Sequence, residues 1–325
     1  MNRLILLFLM FLCGLKVNAF KPDSLFIKPY NTLFTVKLFT GIRDISFNIR
    51  DEIRDNSEKN RLTFKPNVGM TGGVGFSVRN LMLSFSSSLP GTERDITRYG
   101  ETHATNYQLN LTMRFIHLSM FHRRYSGFFL SNFEKNYPDQ FSPVLKMRPD
   151  ITYNTLGAEL IYSLNPRRYS LNASFKMTEK QVRNVWAGLI YANIASISID
   201  GDSSFVPSVI SSYFPNSNQL FRGNYFGWSI QPGITYCFVR RNWHVNPMVF
   251  SGVGYANKKV HYFEDGVEEY NDFFFRFSAK IFVGYSFKKF FTGLSFDLNN
   301  AFIPEKKLMI RTGNMNLIYS VGFRF

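Results

Sequence analysis

The last nine residues of the chain alternate between large apolar side chains and other residues. Every second residue from Leu317 to the final Phe325 is large and apolar, and Ser320, Gly322 and Arg324 lie between them. A period of two places alternate residues on one face of a β-strand. In a transmembrane barrel the outward face must be apolar, whereas the inward face is free to carry small or polar residues. The pattern favours such a barrel over the alternative, the final strand of a soluble β-sandwich.

Two longer segments follow the same rule. In the segment from Asn224 to Phe238, the even positions are apolar from Phe226 onward, and the odd positions from Gly227 onward are Gly, Ser, Gln, Thr and Cys. Between Phe273 and Phe287 the odd positions are apolar. These runs exceed an ordinary globular strand, which has roughly 3–10 residues. They suit a tilted membrane strand that continues beyond the bilayer.

Weaker alternating runs cover most of the remaining chain, at 32–50, 62–78, 81–89, 103–114, 116–128, 150–163, 169–178, 184–199, 243–255 and 290–302. We therefore expect one all-β domain over residues 20–325, a transmembrane antiparallel β-barrel of 12 to 14 strands. The first run changes phase, which predicts a bulge or tight turn near Gly41. The strands on either side of Gly201–Arg222 run in the same direction if each is a single span, which an antiparallel barrel does not allow. Three options remain: Gly201–Arg222 supplies a missing strand, Val185–Ile199 is a hairpin, or Gly201–Arg222 is a plug of the barrel.

The N-terminus has the pattern of a cleaved export signal. A basic start at Arg3 precedes the apolar run Leu4–Leu12, and Val17-Asn18-Ala19 supplies compact residues before a cleavage point after Ala19. The apolar run is too short to span a bilayer. We expect residues 1–19 to be a signal peptide. After its removal only Cys237 remains, which excludes an intramolecular disulfide.

The composition is aromatic and basic. The chain has 36 Phe and 17 Tyr against 23 acidic residues, and its formal net charge is +15. A membrane barrel places aromatic residues in girdles at both interfaces. The positive charge has three conceivable partners: anionic lipid or lipopolysaccharide, anions in the lumen, and nucleic acid. Export and the lack of a nucleic-acid-binding motif argue against nucleic acid.

A repeated local pattern assigns strand ends to one side of the barrel. The segments Val74–Val78, Val283–Phe287 and Val321–Phe325 share an apolar-Gly-aromatic order, and the first two precede basic turns. The segments Tyr236–Phe238 and Tyr162–Leu164 extend the series. Bacterial barrels keep short turns on the periplasmic side, so we expect these ends to face the periplasm. The longer segments 51–60, 90–102, 129–149, 257–270 and 303–310 are expected at the opposite end.

The inward face is expected to be small and polar, with a few charges. Its candidate lumen-lining charges are Lys37, Arg114, Glu159, Lys176, Arg276, Lys280 and Asp297. Five basic residues against two acidic ones favour anions in a wet lumen. The alternative is that these charges pair across the lumen and hold the shape of the barrel.

One pair of residues has the spacing of a hydrolase site. His117 and Ser119 are two residues apart on a strand and point to the same side, as an acyl-transfer enzyme requires of its base and nucleophile. Asn132 and Glu134, which could orient the histidine, lie in a loop beyond the next strand. The five histidines are scattered and no site for a metal or cofactor is expected.

The C-terminal strand resembles the signal by which Gram-negative outer-membrane barrels are recognised for insertion, carried here by Tyr319, Val321, Phe323 and Phe325. The chain also resembles a family of outer-membrane proteins defined only as a domain of unknown function. Residues 34–39, Lys65-Pro66-Asn67 and Asp202–Pro207 carry that likeness. The resemblance implies location in the outer membrane, contact with its lipids and lipopolysaccharide, and handling by the barrel-insertion machinery. The expected function is a passive, anion-favouring channel, and the alternatives are a non-conducting structural or envelope-binding barrel and a lipid acyl hydrolase.

Overall fold

A computed structural model describes residues 22–30, 32–51, 60–140, 142–264, 266–302 and 313–325. The predicted signal peptide and the segment 303–310 lie outside these residues. The described chain contains fifteen strands, of which β1 (Ile27–Pro29) and β9 (Glu179–Gln181) form a separate small sheet. The others are β2 (Phe34–Arg50), β3 (Arg61–Lys65), β4 (Thr71–Val78), β5 (Leu81–Ser88), β6 (His103–Thr112), β7 (Ile116–Leu130), β8 (Met147–Ser163), β10 (Val185–Asp200), β11 (Leu220–Arg240), β12 (Trp243–Tyr262), β13 (Gly266–Ser286), β14 (Phe290–Phe302) and β15 (Gly313–Arg324).

These strands close into an antiparallel barrel. The last strand, β15, pairs with β2 in continuous register from Gly313 opposite Ser46 to Arg324 opposite Thr35. Because β3 and β4 are successive parts of one barrel strand, the barrel has twelve strands. This confirms the predicted all-β transmembrane barrel at the lower strand number. No helix in the described residues is long and apolar enough to cross a membrane.

The outward face of the barrel is apolar. On β11, Trp228, Ile230 and Ile234 are exposed, whereas the alternate residues Ser229 and Gln231 are buried. The same alternation continues around the barrel. A barrel in water would bury such residues, so this belt is the surface that faces lipid.

The two ends of the barrel differ. We call the end that holds Phe34 and Arg324 the base, and the opposite end the top. All five strand ends with the repeated apolar-aromatic pattern lie at this one end. The connections at the base are 79–80, 113–115, 164–184, 241–242 and 287–289. At the top, β12 and β13 continue as a hairpin to Tyr262 opposite Gly266. The segment 257–270 thus lies at the end where it was expected, but it is a regular hairpin whose polar residues pair across the two arms, as Asn257 does with Asn271.

The phase change in β2 has a different cause from the one predicted. β2 pairs with β15 without a bulge at Gly41. Between the pairs Gly41–Thr71 and Phe47–Phe64, β2 advances six residues and its other partner seven, so the irregularity lies between β3 and β4. The apolar residues change sides because the lumen near the top is itself apolar.

The predicted strand at 169–178 is also wrong. Residues 171–175 form a short helix in the connection between β8 and β10, and β9 follows. Removing this segment from the strand count restores the alternating direction of the remaining strands. β10 and β11 are then single antiparallel spans, and Gly201–Arg222 need not supply a strand.

Short helices lie in the connections. They are α1 (Ile96–Tyr99), α2 (Phe133–Asn136) and α3 (Pro143–Lys146) at the top, and α4 (Leu171–Phe175) at the base. Two 3-10 helices, Pro138–Gln140 and Ser208–Tyr213, also lie in top connections.

Candidate functional site

The base of the lumen is closed by a compact unit of the chain itself. We call residues 22–30 and 164–184 the basal plug. Strand β1 pairs with β9, from Ile27 opposite Gln181 to Pro29 opposite Glu179. Helix α4 begins after Ser170, whose Oγ accepts a hydrogen bond from the Ala173 backbone N–H at 3.0 Å. The plug therefore has its own sheet and capped helix.

Side chains of the plug are buried against the inward face of the barrel. Tyr169 and Leu171 are fully buried in a cluster with Tyr191, Met248 and Phe250. The burial of Tyr169 raises its pKa to about 12. Each fully buried apolar side chain of this size contributes about 1.5–3 kcal/mol, so this packing holds the plug in the lumen.

Hydrogen bonds fix the plug to the strands around it. Asn246 Nδ2 on β12 donates to the Tyr169 hydroxyl at 2.6 Å and to Ser174 Oγ at 2.5 Å. Arg324 Nε on β15 donates to the Met177 carbonyl at 2.6 Å, and its guanidinium lies 3.9 Å from the ring centroid of Tyr30. The bonds come from strands on different parts of the barrel wall.

Two predicted lumen-lining residues belong to this closure. Lys176 is in the plug, not on a strand, and its Nζ donates to the Arg79 carbonyl of the turn between β4 and β5. Burial lowers the pKa of Lys176 to about 8, and the nearby Glu179 opposes that shift. Arg114 lies in the turn between β6 and β7, with Nε 3.9 Å from Glu179 Oε1 of the plug.

The top of the lumen is closed by a second segment, residues 201–219, which we call the apical cap. Its side chains Phe205, Ile210 and Phe214 are fully buried. They pack into an apolar cluster with inward residues of the strands, including Phe47 and Phe64. The Phe205 ring makes edge contacts with both, at centroid distances of 6.0 and 6.2 Å. The segment thus takes the third of the predicted options, a plug.

Polar contacts hold the cap in place. Arg148 on β8 donates from Nη1 to the Phe205 carbonyl at 2.8 Å and forms an ion pair with Asp150 at 2.7 Å. Asp51 accepts hydrogen bonds from both the backbone and the side-chain amide of Asn216, each at 2.7 Å.

Two of the three motifs that carried the family likeness build this end of the barrel, whereas residues 34–39 lie on β2 near the base. Asp202–Pro207 is the start of the cap. Asn67 organises the loop 89–102: its Nδ2 donates to the carbonyls of Arg94 and Gly100, and its Oδ1 accepts from the Arg94 N–H at 2.9 Å. These two motifs are therefore structural elements of the closure and not a catalytic group.

A polar cavity of about 160 Å³ lies in the lumen between the two closures. Glu159, Lys280 and Asp297, all predicted lumen residues, meet here. Lys280 Nζ lies 3.2 Å from Glu159 Oε2 and 3.1 Å from Asp297 Oδ1. These three charges therefore pair across the lumen, from β13 and β14 to β8.

Four further cations on the inward face, Lys37, Arg43, Arg123 and Arg276, have no carboxylate partner within ion-pair distance in the described chain. Lys37 lines the cavity, and Arg276 Nη1 donates to Asn193 Oδ1 at 2.7 Å. Arg43 and Arg123 also line it and were missed by the sequence analysis. Arg43 is six residues after Lys37 on β2 and therefore points to the same side. A bulge at Gly41 would have turned Arg43 to the opposite side. Arg123 shares the phase of Ser119 on β7.

The candidate hydrolase pair faces this enclosed cavity. His117 Nδ1 is 2.8 Å from Thr112 Oγ1, and the ring stacks on Phe175 of the plug at a centroid distance of 3.9 Å. Ser119 Oγ accepts from Gln108 Nε2 at 2.9 Å. Both side chains are buried inside the barrel, away from the lipid-facing surface. Asn132 and Glu134 lie in the connection from β7 to β8 at the top, where Glu134 pairs with Arg98.

The predicted insertion residues lie on the outward side of β15. Tyr319, Phe323 and Phe325 are exposed and Val321 is half-buried. Phe325 stacks on Phe34 at 4.7 Å between ring centroids, beside the β15–β2 seam. They belong to an aromatic girdle at the base with Tyr162, Trp186, Phe238, Trp243 and Phe287.

A cleft of about 520 Å³ opens at the top between the connection 131–146 and the apical cap. Arg148, Asp150, Ser203, Asn218 and Gln219 supply its polar lining. It is the larger of the two spaces and lies outside the sealed lumen.

Comparison with solved structures finds β-barrel proteins at low similarity. The attachment invasion locus protein Ail of Yersinia pestis has 10% identity and a TM-score of 0.26, over 90% of this chain and 98% of that chain. The β domain of the Bordetella autotransporter BrkA has 9% identity and a TM-score of 0.37, over 90% and 100%. The Pseudomonas putida toluene transporter TodX has 9% identity and a TM-score of 0.29, over 91% and 90%. The fold assignment rests on the strand pairing of this chain and not on these scores.

No curated protein sequence matches the chain significantly. One family model matches residues 21–325, almost all of the described structure. It is the model of the domain of unknown function DUF4421, in agreement with the predicted resemblance. The chain belongs to the DUF4421 family.

Proposed function

We propose that this protein is an outer-membrane barrel that does not conduct in its resting state and acts as a binding or structural element of the envelope. The observation that carries the proposal is the double closure of the lumen. The basal plug and the apical cap are segments of the same chain, each packed by buried side chains such as Leu171 and Phe205. A passive channel would require both the basal plug and the apical cap to leave the lumen.

The membrane orientation follows from the connections. Barrels of bacterial outer membranes have short periplasmic turns and long external loops. The base, with its two-residue turns, then faces the periplasm, and the top faces the lipopolysaccharide leaflet. In this orientation Tyr319, Val321, Phe323 and Phe325 are available to the insertion machinery before the seam with β2 closes.

The binding role is supported by the top cleft. Arg148 and residues of the apical cap line the cleft, and Arg148 holds the cap by a hydrogen bond to the Phe205 carbonyl, so this part of the cleft surface is fixed. Preorganised polar groups in a cleft are the usual basis of ligand recognition. The chain thus uses two of its three family motifs to shape the top of the barrel.

A flux assay in proteoliposomes tests the proposal. Three variants are compared with the wild type: one starts at Thr32 and replaces residues 165–184 with a short turn, one replaces residues 201–219 with a short turn, and one combines both changes. We expect no ion flux from the wild type or either single deletion, and flux from the combined variant. A variant shortened only at the hairpin tip between Tyr262 and Gly266 is the matched control.

Each sample is normalised to its folded fraction, measured as resistance to SDS at room temperature. Flux from the wild type equal to that of the combined variant would overturn the proposal. Flux from the variant without the basal plug alone would show that the apical cap does not seal the lumen, and the double closure would then be wrong.

A further inference from the structure

The exposed charge at the base of the barrel has one sign. Nine exposed basic residues lie there: Lys28, Arg79, Arg167, Arg168, Arg183, Arg240, Arg241, Lys288 and Lys289. Only two acidic residues in the described chain lie at this end. Asp23 is half-buried near Arg168, and Glu179 is buried inside the plug. The top, in contrast, mixes exposed residues of both signs, such as Asp95, Arg98 and Glu269.

These cations lie on most sides of the barrel. Four of the five connections at the base contain an exposed Arg or Lys, namely Arg79, Arg167, Arg241 and Lys288, and the fifth contains the half-buried Arg114, which pairs with Glu179. A binding site for one protein partner needs a patch on one side. A ring of like charge on most sides of the base instead matches a partner that surrounds the barrel.

The ring lies next to the aromatic girdle. Trp186 and Tyr236 lie 4.5 Å apart between ring centroids, and Trp243 and Tyr285 lie 4.8 Å apart, both pairs close to the turn that holds Arg241. Trp and Tyr mark the level of the lipid headgroups. Arg and Lys just beyond them reach headgroup phosphates with flexible side chains.

Two of the turns keep an arginine where another residue would be less strained. Arg79 and Arg241 have φ values of 49° and 56°, in the left-handed region, and each is followed by Asn in a two-residue turn. Gly, Asn or Asp fits the first position of such a turn with less strain. The presence of a cation at both positions indicates that its charge has a use.

We propose that this basal ring binds the anionic headgroups of the phospholipid leaflet that surrounds the base. Phosphate esters such as those of phosphatidylglycerol are the ligand class, since guanidinium and ammonium groups both pair with phosphate oxygens. The inference stands on the charge distribution and holds whether or not the lumen conducts.

The test measures lipid selectivity at the barrel surface. The wild-type protein is reconstituted in phosphatidylcholine vesicles, and the relative association of spin-labelled phosphatidylglycerol and phosphatidylcholine is measured. We expect a preference of about fivefold for phosphatidylglycerol, since one Lys or Arg near an anionic headgroup contributes roughly 1 kcal/mol. The preference should fall in 1 M salt, where the Debye length is about 3 Å.

Two charge variants distinguish the effect of the basal ring from the effect of the net charge of the protein. R240Q/R241Q/K288Q/K289Q removes four cations of the ring and should abolish most of the preference. R94Q/K135Q/R222Q/K259Q removes four exposed cations of the top and should leave it unchanged. Equal affinity of the wild type for both lipids, or equal loss in the two variants, would overturn the proposal. Sedimentation of the wild type with peptidoglycan, without any lipid preference, would overturn it in favour of a cell-wall partner.

Discussion

Arg324, the penultimate residue of the chain, donates a hydrogen bond of 2.6 Å from Nε to the backbone carbonyl of Met177 in the basal plug. The same guanidinium donates from Nη1 to the Phe287 carbonyl at 2.6 Å and stacks over Tyr30. One side chain on the strand that closes the barrel therefore joins both parts of the plug to a turn at the base. Barrel closure and plug seating are coupled at this residue.

Replacing Arg324 with Gln should loosen the plug. Hydrogen bonds to a charged group contribute about 1.5–3 kcal/mol each, so loss of the Met177 contact alone should raise exposure of the plug about tenfold or more. The measurement is the rate of maleimide labelling of Ala173→Cys, a fully buried position in α4, in a Cys237→Ser background. R183Q, at an exposed arginine of the plug, is the control. Equal labelling rates in R324Q and R183Q would contradict the coupling.

Replacing Phe205 with Ala should destabilise the barrel strongly. The ring is fully buried in the apical cluster, and removing such a ring costs about 3–5 kcal/mol because a cavity remains. V209A, at an exposed position of the same segment, should change the free energy of unfolding by less than about 0.5 kcal/mol. Urea unfolding in lipid vesicles measures both. A loss below 1 kcal/mol for F205A would mean that the cap is not packed in the lumen.

The triad of Lys280, Glu159 and Asp297 predicts a non-additive result. Lys280→Met leaves the carboxylates of Glu159 and Asp297 in the cavity without their shared ion-pair partner, and breaking a buried pair in this way costs about 3–5 kcal/mol. Neutralising all three groups, in K280M/E159Q/D297N, should restore most of that free energy. The triple variant is thus its own control. If the triple variant unfolds at a lower urea concentration than K280M, the account is wrong, because the carboxylates would then stabilise the barrel even without Lys280.

Asn67→Ala should free the loop 89–102 without unfolding the barrel. The substitution removes three hydrogen bonds to the backbone of Arg94 and Gly100, a loss of about 1–3 kcal/mol. Hydrogen exchange of the loop amides should accelerate accordingly, while exchange in β11 stays slow. T97A, which affects an exposed hydroxyl bonded to Asp95, serves as the reference. Unchanged exchange in N67A would show that the loop is held by other contacts.

Alternation predicted the barrel well because each membrane strand has one lipid face and one lumen face. It failed at 169–178, where apolar Tyr169, Leu171 and Ala173 alternate with polar residues that are also buried. Inside the plug the apolar and the polar residues of this segment both contact protein. The alternation therefore does not indicate a strand with one lipid face and one lumen face. Only the three-dimensional position of the segment explains its burial.

The closure of the top was partly visible in the sequence. Ile45, Phe47 and Ile49 form an apolar series of opposite phase to Phe34, and a bulge or tight turn near Gly41 is the local explanation that the sequence offers. The structure shows an unbroken strand whose inward face becomes apolar where the cap fills the lumen. A phase change without a bulge is a long-range effect, because it depends on Phe205 and its neighbours about 150 residues away along the chain.

The measurement that tests the double closure most directly is single-channel recording from the wild-type mature chain in planar bilayers. Barrels are first confirmed as folded by their resistance to SDS. We predict no stable conductance steps at moderate voltage, because the basal plug and the apical cap both occupy the lumen. Uniform, long-lived steps with anion preference from the unmodified protein would contradict this account and support a passive channel.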